Sequence, residues 1–162
     1  MRKGLGGRLA RYKLSLNENK TRLVDFRRPR NGQSRPEAFD FLGFTFYWGR
    51  SRRGAPLPKV KTSGKRMRSK LRAVNDWART NRSRYPLPYI WAVFCAKLRG
   101  HIHYYGVSFN SRALQTFRKK AARILFKWLN RRSQRRSFNW KQFTLFIEAN
   151  PLPRAVVRHR LY

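Results

Sequence analysis

The side chains that could carry catalysis are six carboxylates, three histidines and one cysteine, and the carboxylates are scattered. Phosphoryl transfer by two metal ions requires several carboxylates that converge on ions about 4 Å apart. No two acidic residues are adjacent, and they occur at Glu18, Asp25, Glu37, Asp40, Asp76 and Glu148. We expect the nearest two, Glu37 and Asp40, to pair with Arg35 and its neighbours. The sequence therefore predicts no catalytic residues, no metal site and no enzymatic activity for this chain alone.

The histidines and the cysteine also lack the spacing of a metal site. His101 and His103 form the sequence "HIH", and the only further ligand type within twenty residues is Cys95. A single cysteine excludes an intrachain disulfide and favours a reducing compartment. Because Cys95 lies between Phe94 and Ala96, we expect a buried thiol. These residues imply no cofactor.

The charge of the chain is strongly positive. There are 40 Lys and Arg against six Asp and Glu, which gives a net charge of +34. Residues 77 to 147 include many Lys and Arg but no Asp or Glu. Like charges four apart on a helix, such as Lys119 and Arg123, destabilise it by roughly 0.2 to 0.5 kcal/mol per pair. Phosphates would neutralise these charges and release counterions, so the composition predicts a nucleic-acid partner.

The apolar segments are too short to cross a membrane. The longest uncharged apolar run is "YIWAVFCA", whereas a spanning helix needs roughly 20 residues. No amphipathic membrane anchor is recognisable. The first residues, "MRKGLGGRLARYK", are basic but lack the apolar core and the cleavage site of a secretory signal. We therefore expect no membrane partner and a cytoplasmic location.

The hydrophobic pattern changes from strand-like to helical near residue 62. Before that point we predict a terminal helix at 1–13, short strands at 13–17 and 21–26, a loop at 27–38, one or two strands at 39–49 and a returning strand at 59–62. After it, we predict helices at 65–80, from Pro86 to the residue before Gly106, at 111–130 and from 137 to 149. The predicted fold class is α+β, with a β-rich module at 1–62 and a bundle of three to four helices at 63–162.

Four aromatic residues have predicted positions that bear on binding. Tyr105 lies on the apolar stripe of the second predicted helix and should be buried. Tyr104 shares another face with Lys97 and His101, where it either stacks on a base or covers neighbouring apolar surface. Trp48, at the end of a strand before an Arg-rich loop, is together with its neighbour Tyr47 a weaker candidate for an edge that faces RNA.

Five segments occur in an order that is typical of one protein family. They are "LSLNENKTRLVDF", "RPEAFDFLGFTFYWGRSRRG", "KLRGHIHYYGV", "LFKWLNRRSQRRSFNW" and "NPLPRAVVRHRLY". Read together, they resemble the C-terminal part of bacterial group II intron reverse transcriptases, also called intron maturases. The resemblance covers nearly all of the chain. It implies a remnant of the polymerase palm followed by the thumb, or maturase X domain.

The same resemblance implies RNA as the partner. A polymerase of this family also needs fingers and a palm block with paired aspartates, and nothing of that kind precedes Leu14. We therefore expect a non-catalytic protein that stabilises a structured RNA in a ribonucleoprotein, either a group II intron or another large noncoding RNA. Mg²⁺ would enter only through the bound RNA.

Two other interpretations stay open. One is the C-terminal half of a split reverse transcriptase, which supplies primer grip and thumb to a separate palm fragment. The other is a basic scaffold protein of ribosomal type. Both would use the same cationic surface, so composition does not separate them from the first interpretation.

The predicted RNA contacts lie on the loop after "FYWG" and on three helices. They are Arg50, Arg52, Arg53, Lys65, Arg66, Arg68, Lys70, Arg72, Lys97, Arg99, His101, Tyr104, Lys119, Lys120, Arg123, Lys127, Arg131, Arg132, Arg135 and Arg136. Side chains of these types would contact mainly phosphate and ribose. The shape of the RNA should therefore matter more than the identity of its bases.

Overall fold

The structure is a computed structural model that describes residues 2–17, 21–30, 36–132 and 139–161. Its helices and strands are α1 (Arg2–Ala10), β1 (Phe39–Phe41), β2 (Phe44–Arg50), β3 (Pro56–Thr62), α2 (Gly64–Asn81), α3 (Leu87–Tyr105), α4 (Ser111–Leu129) and α5 (Trp140–Ala149). The predicted α+β class is confirmed. The chain forms two compact units, which we call the first unit (Met1–Glu37) and the second unit (Ala38–Tyr162).

In the first unit, α1 is followed by described residues 11–17, 21–30 and 36–37, which belong to no helix or strand. The predicted terminal helix is confirmed as α1, but the strands predicted at 13–17 and 21–26 are wrong, since none of the residues described there is in a strand. Leu14 and Leu23 are exposed, so this segment has no buried face. An isolated two-stranded hairpin is marginally stable in water, which explains why strand propensity alone was insufficient.

Two ion pairs lie in the first unit. The guanidinium of Arg27 donates to the carboxylate of Asp25 and holds the pKa of that carboxyl below its usual value. Arg22 pairs with Glu37 at 2.8 Å. The partner that we predicted for Glu37 was Arg35, which lies outside the described residues. Both ion pairs are exposed, so they contribute little to stability.

The second unit begins with a three-stranded antiparallel sheet in the order β1, β2, β3. Phe46 of β2 lies opposite Phe39 of β1 and Val60 of β3, and the rings of Phe39 and Phe46 stack at 5.2 Å. The turn between β1 and β2 consists of Leu42 and Gly43, whose φ angles are both positive at 48° and 83°. Two positive φ angles are what a type I′ hairpin turn requires.

The sheet continues into the helices without a linker. β3 ends at Thr62, and the next residue, Ser63, is the N-cap of α2, its hydroxyl accepting a hydrogen bond from the N–H of Arg66 at 3.3 Å. The hairpin turn also approaches α3, because a Cβ on Gly43 would lie 2.8 Å from the hydroxyl oxygen of Tyr105. The two compact units therefore divide between residues 37 and 38. The change from a strand-like to a helical hydrophobic pattern had predicted a module boundary after residue 62.

The main core lies between α2, α3, α4 and α5. Pro88 occupies the first turn of α3, where its missing N–H is tolerated, and a capping box between Asn139 and Gln142 begins α5. Cys95 is buried as predicted, and burial raises the pKa of its thiol. The core also includes Val74, Ala78, Ile90, Trp91, Phe94, Leu98, Phe117, Ala121, Ala122, Leu125, Trp128, Leu129, Phe143 and Leu152. None of the helices in the described ranges is long and apolar enough to span a bilayer.

The C-terminal segment is irregular but anchored to the turn between α3 and α4. Leu152 is buried, and His159 forms a parallel bridge with Val107. The backbone N–H groups of Arg158 and His159 both donate to the carbonyl of Gly106, at 2.6 and 2.9 Å. A Cβ on Gly106 would lie 2.4 Å from the carbonyl oxygen of Ile102, so a side chain there would collide with the backbone.

Candidate nucleic-acid interface

The second unit carries exposed cations that form no ion pair with a carboxylate among the described residues. Both ion pairs between described residues belong to the first unit. In the second unit, Asp40 accepts a hydrogen bond from the hydroxyl of Thr45, and Asp76 accepts one from the side-chain amide of Asn75. Within the described part of this unit, no Lys or Arg therefore forms an ion pair with Asp or Glu. A polyanion would relieve this repulsion.

Cations of two helices face a common cavity, which we call the α2–α3 cavity. Arg66 and Lys70 come from α2, and Lys97 comes from α3; all three are exposed. The cavity has a volume of about 590 Å³ and is lined by Leu42, Arg66, Lys70, Ala73, Val74, Lys97, Gly100, His101, Tyr104, Tyr105 and Phe117. None of these lining residues is acidic. The structure thus brings together five of the residues that were predicted to contact RNA.

The other predicted contacts on α2 and α3 lie outside this cavity. Lys65 lines a smaller cavity of about 270 Å³ together with Asp40. Arg68, Arg72 and Arg99 are exposed on their helices. These four cations extend the positive surface, but none of them lines the α2–α3 cavity.

His101 is buried, although the sequence placed it on the face of the helix that could contact RNA. Its side chain is 8% exposed, and its ring stacks on Phe117 with centroids 3.5 Å apart and planes at 12°. Burial, together with the charge of Lys70, lowers the pKa of His101 to about 4. The imidazole is therefore neutral near neutral pH. Its Nε2 has no hydrogen-bond partner among the residues that the structure describes.

The two neighbouring tyrosines have different environments. Tyr105 is buried, as its place on the apolar stripe predicted. The hydroxyl of Tyr104 donates to the carbonyl of Leu42 at 3.0 Å, and its ring stacks on Phe44 at 5.9 Å. Tyr104 therefore covers apolar surface of the sheet, which is one of its two predicted roles, while 51% of the residue stays exposed.

The cations of α4 border two grooves against α5, which we call the α4–α5 grooves. Lys119 and Arg123 line a groove of about 490 Å³. Lys127 and Arg131 line a second groove of about 740 Å³. Trp140 of α5 lines both grooves and is half exposed. Four of the predicted cations thus lie next to one exposed aromatic residue.

Four other predicted residues of this region differ in position. Lys120 is exposed but lines neither groove. Arg132 is partly buried and donates to the backbone carbonyl of Tyr85 at 3.1 Å, so part of its hydrogen-bonding capacity serves the fold. Arg135 and Arg136 lie outside the described residues.

The predicted contacts on the sheet are only partly accessible. Arg50, Arg52 and Arg53 are exposed at the end of β2 and in the loop that follows. Trp48 is buried, so its predicted role at an RNA-facing edge is wrong. Trp48 shares a sheet face with Phe46, because alternate residues of a strand point to the same side. The sequence shows this alternation but not which side the helices cover.

Sequence reasoning missed a cluster of three cations around one indole ring. The distances from the charged groups to the centroid of the Trp128 ring are 5.0 Å for Arg82, 5.2 Å for Lys127 and 5.4 Å for Arg131. The indole Nε1 donates to the side-chain oxygen of Asn75 at 2.8 Å. Arg82 follows α2 and reaches α4 only because the two helices pack together. No local pattern could have indicated that arrangement.

Two exposed aromatic rings at the start of α3 were also missed. Tyr85 and Tyr89 are 41% and 51% exposed, and their ring centroids are 4.6 Å apart. Their spacing of four residues beside a helix-opening proline was the signal that could have found them. Exposed aromatic rings next to cations are typical of surfaces that bind single-stranded nucleic acid.

The described residues contain no group of three or more His, Cys, Asp or Glu side chains that is placed to hold a metal ion. The chain has no match among the protein families, the curated proteins and the solved structures with which it was compared. These comparisons therefore assign it neither a family nor a partner.

Proposed function

We propose that the protein is a non-catalytic RNA-binding protein that stabilises a structured RNA in a bacterial cytoplasmic ribonucleoprotein. The observation that carries this proposal is the excess of exposed cations on α2, α3 and α4, which have no acidic partner within the described residues of the second unit. RNA phosphates would supply the missing charge, and released counterions would add to the affinity. The resemblance of five segments to group II intron reverse transcriptases favours RNA over DNA.

The positions of the cations favour recognition of RNA shape. Arg66 and Lys97 border the α2–α3 cavity, while Arg123 and Lys127 border the α4–α5 grooves. These side chains start from helices that share one packed core. Because packed helices hold their positions, the spacing of the cations can match a folded RNA better than an unfolded one.

The first test is to identify the RNA that the full chain binds. We expect ultraviolet crosslinking in cells that express the tagged protein, followed by sequencing, to recover one dominant folded transcript, an intron or another large noncoding RNA. Recovery of mainly ribosomal RNA would favour the scaffold interpretation instead. Recovery of no RNA above the level of an untagged control would reject both.

The second test is the dependence of affinity on salt. If about 8 to 10 phosphates are neutralised, the affinity for that transcript should fall by roughly 10³-fold or more between 50 and 200 mM salt. A transcript of the same length and composition but with a shuffled sequence is the matched control. Equal affinity for both transcripts would show that the protein does not read RNA shape.

The exposed edge of the sheet favours a second candidate, the C-terminal half of a split reverse transcriptase. β1 is an edge strand, and Phe41 and Leu42 beside it are 57% and 65% exposed. An edge with exposed apolar residues can pair with another chain. Coexpression with a separate palm fragment, followed by a magnesium-dependent primer-extension assay, tests this candidate. Activity only in the mixture would support it, and inactive mixtures would reject it.

A further inference from the structure

The α2–α3 cavity has the dimensions of a ligand site. Its volume of about 590 Å³ lies within the range of roughly 300 to 1,000 Å³ that is usual for small-molecule pockets. Its walls come from α2, α3, α4 and the turn between β1 and β2. These elements belong to one compact unit, so the cavity is part of the folded second unit.

The walls of the cavity are suited to a flat aromatic group. Ala73, Val74 and Phe117 provide apolar surface, and Tyr104 adds an exposed ring. Gly100 lines the same cavity, and a Cβ on this glycine would meet no atom within 4 Å. The space beside Gly100 is therefore large enough to accept additional atoms without displacing the protein.

His101, which lines the cavity, also carries one buried polar atom without a partner. Nε2 of His101 has none among the described residues, although only 8% of the residue is exposed. Stacking on Phe117 fixes the plane of the ring. Leaving a buried polar group unsatisfied costs about 1 to 3 kcal/mol. Because Nε2 is itself buried, a ligand reaches it only when the side chains around the cavity shift, and a hydrogen-bonding edge placed there would then remove that cost.

The charges around the cavity select an anionic ligand. Arg66, Lys70 and Lys97 contribute three cations, and none of the lining residues is acidic. An apolar ligand would leave these cations without an anionic partner and His101 without a hydrogen-bond partner, and a cationic ligand would be repelled. A nucleotide combines a flat base, a hydrogen-bonding base edge and a phosphate.

We propose that the α2–α3 cavity binds a single unstacked nucleotide of the bound RNA, with its base beside Phe117 and Tyr104, its edge on Nε2 of His101, and its phosphate near Arg66, Lys70 and Lys97. This inference rests on the proposed RNA-binding function and specifies one contact of it. Proteins commonly recognise RNA through bases that are splayed out of a helix and stacked on aromatic side chains.

The first experiment measures binding of AMP, GMP, CMP and UMP to the full chain by isothermal titration calorimetry, with ribose 5-phosphate as the control. We expect at least one nucleotide to bind, and Gly100→Leu, which fills the cavity, to weaken that binding roughly 5- to 150-fold, the range that corresponds to the loss of one stacked base. Gly100→Ala should change it far less. Equal binding of ribose 5-phosphate would overturn the role of the base.

A second variant separates the base edge from the shape of the cavity. His101→Phe retains an aromatic ring but removes Nε2, so it should weaken binding of the preferred nucleotide and leave binding of ribose 5-phosphate unchanged. Circular dichroism checks that each variant is folded. If the wild type binds no nucleotide while Gly100→Leu binds RNA as the wild type does, the inference is wrong and the proposed function stands. If the wild type does not bind RNA, the proposed function fails.

Discussion

Asn110 bridges the end of the sheet and the end of α3 through its fully buried side chain. Its Oδ1 accepts a hydrogen bond from the backbone N–H of Thr62 at 2.8 Å, and its Nδ2 donates to the carbonyl of Tyr105 at 2.8 Å. Nδ2 also donates to the hydroxyl of Thr62 at 2.9 Å. One carboxamide therefore satisfies backbone groups at the end of β3 and at the end of α3.

The first prediction concerns this bridge. Asn110→Leu should lower the free energy of unfolding by about 2 to 5 kcal/mol, because it leaves a buried N–H and a buried carbonyl without partners. Chemical denaturation monitored by circular dichroism measures the loss. Asn150→Ala is the control, since Asn150 is exposed and donates to the carbonyl of Phe146; it should cost less than about 1 kcal/mol. Similar losses in both variants would contradict the bridging role.

The second prediction compares two glycines of the same region. Gly106→Ala should destabilise the protein, because its Cβ would lie 2.4 Å from the carbonyl oxygen of Ile102 and 3.0 Å from that of Val156. Gly100→Ala meets no atom within 4 Å and should raise stability by up to about 1 kcal/mol, since alanine is the better helix former. In thermal unfolding, Gly106→Ala should have a lower midpoint temperature than the wild type, and Gly100→Ala should have a higher one.

Hydrogen exchange tests where the damage of Gly106→Ala lies. The amides of Arg158 and His159 donate to the carbonyl of Gly106, so their protection should decrease more than that of amides within α4. Uniform loss of protection across the second unit would instead indicate global destabilisation. In that case the glycine would not be a specific anchor for the C-terminal segment.

Much of the helical architecture could be predicted from local periodicity. The predicted helices over 65–80, 111–130 and from Pro86 to Gly106 agree with α2, α4 and α3 within a few residues. Repeating apolar positions define these helices, and their buried faces form the core. Burial of Tyr105 was predicted correctly for the same reason, and burial of Cys95 was predicted correctly from its apolar neighbours Phe94 and Ala96.

Contacts between distant segments set the limits of that prediction. The strands at 13–17 and 21–26 failed because a strand needs a partner and a buried face, and propensity supplies neither. His101 was placed on the correct helical face, but its depth depends on Phe117, which belongs to α4. The cations around Trp128 come from the last turn of α4 and from the residues that follow α2 and α4. Each error therefore concerns a contact between distant segments, which local sequence patterns do not specify.

The third prediction is a pH dependence of stability that comes from His101. Its pKa is about 4 in the folded protein and about 6.5 in an unfolded chain. Protons therefore bind more tightly to the unfolded state. The unfolding free energy is therefore unaffected by protonation of His101 above about pH 6.5. It falls as the pH is lowered towards 4, by at most about 3 kcal/mol.

His101→Phe isolates this contribution, because phenylalanine stacks on Phe117 but does not titrate. Between pH 7 and pH 4, the variant should lose less unfolding free energy than the wild type. Arg66, Lys70 and Lys97, which also face the cavity, are present in both proteins and cancel in the comparison. Parallel pH profiles would show that His101 does not titrate with a lowered pKa.

The last prediction separates a specific phosphate-binding surface from diffuse positive charge. Replacing Lys119, Arg123, Lys127 and Arg131 with Gln removes four cations from the α4–α5 grooves. The plot of log affinity for the bound RNA against log salt should become shallower by about 3 to 4, since each neutralised phosphate contributes roughly 0.7 to 0.9 to the slope. Fluorescence anisotropy over a salt series measures this change.

The same substitutions should change the stability of the protein without RNA by less than about 1 kcal/mol. Removing the like-charge pairs Lys119–Arg123 and Arg123–Lys127 on α4 should raise the unfolding free energy by roughly 0.4 to 1 kcal/mol in total, whereas losing the contacts of Lys127 and Arg131 with the ring of Trp128 should lower it by a similar amount. The matched control replaces four exposed cations of the first unit, Arg8, Arg11, Lys13 and Arg28, and changes the net charge equally. An equal loss of slope in both variants would mean that net charge, rather than the α4–α5 grooves, determines binding.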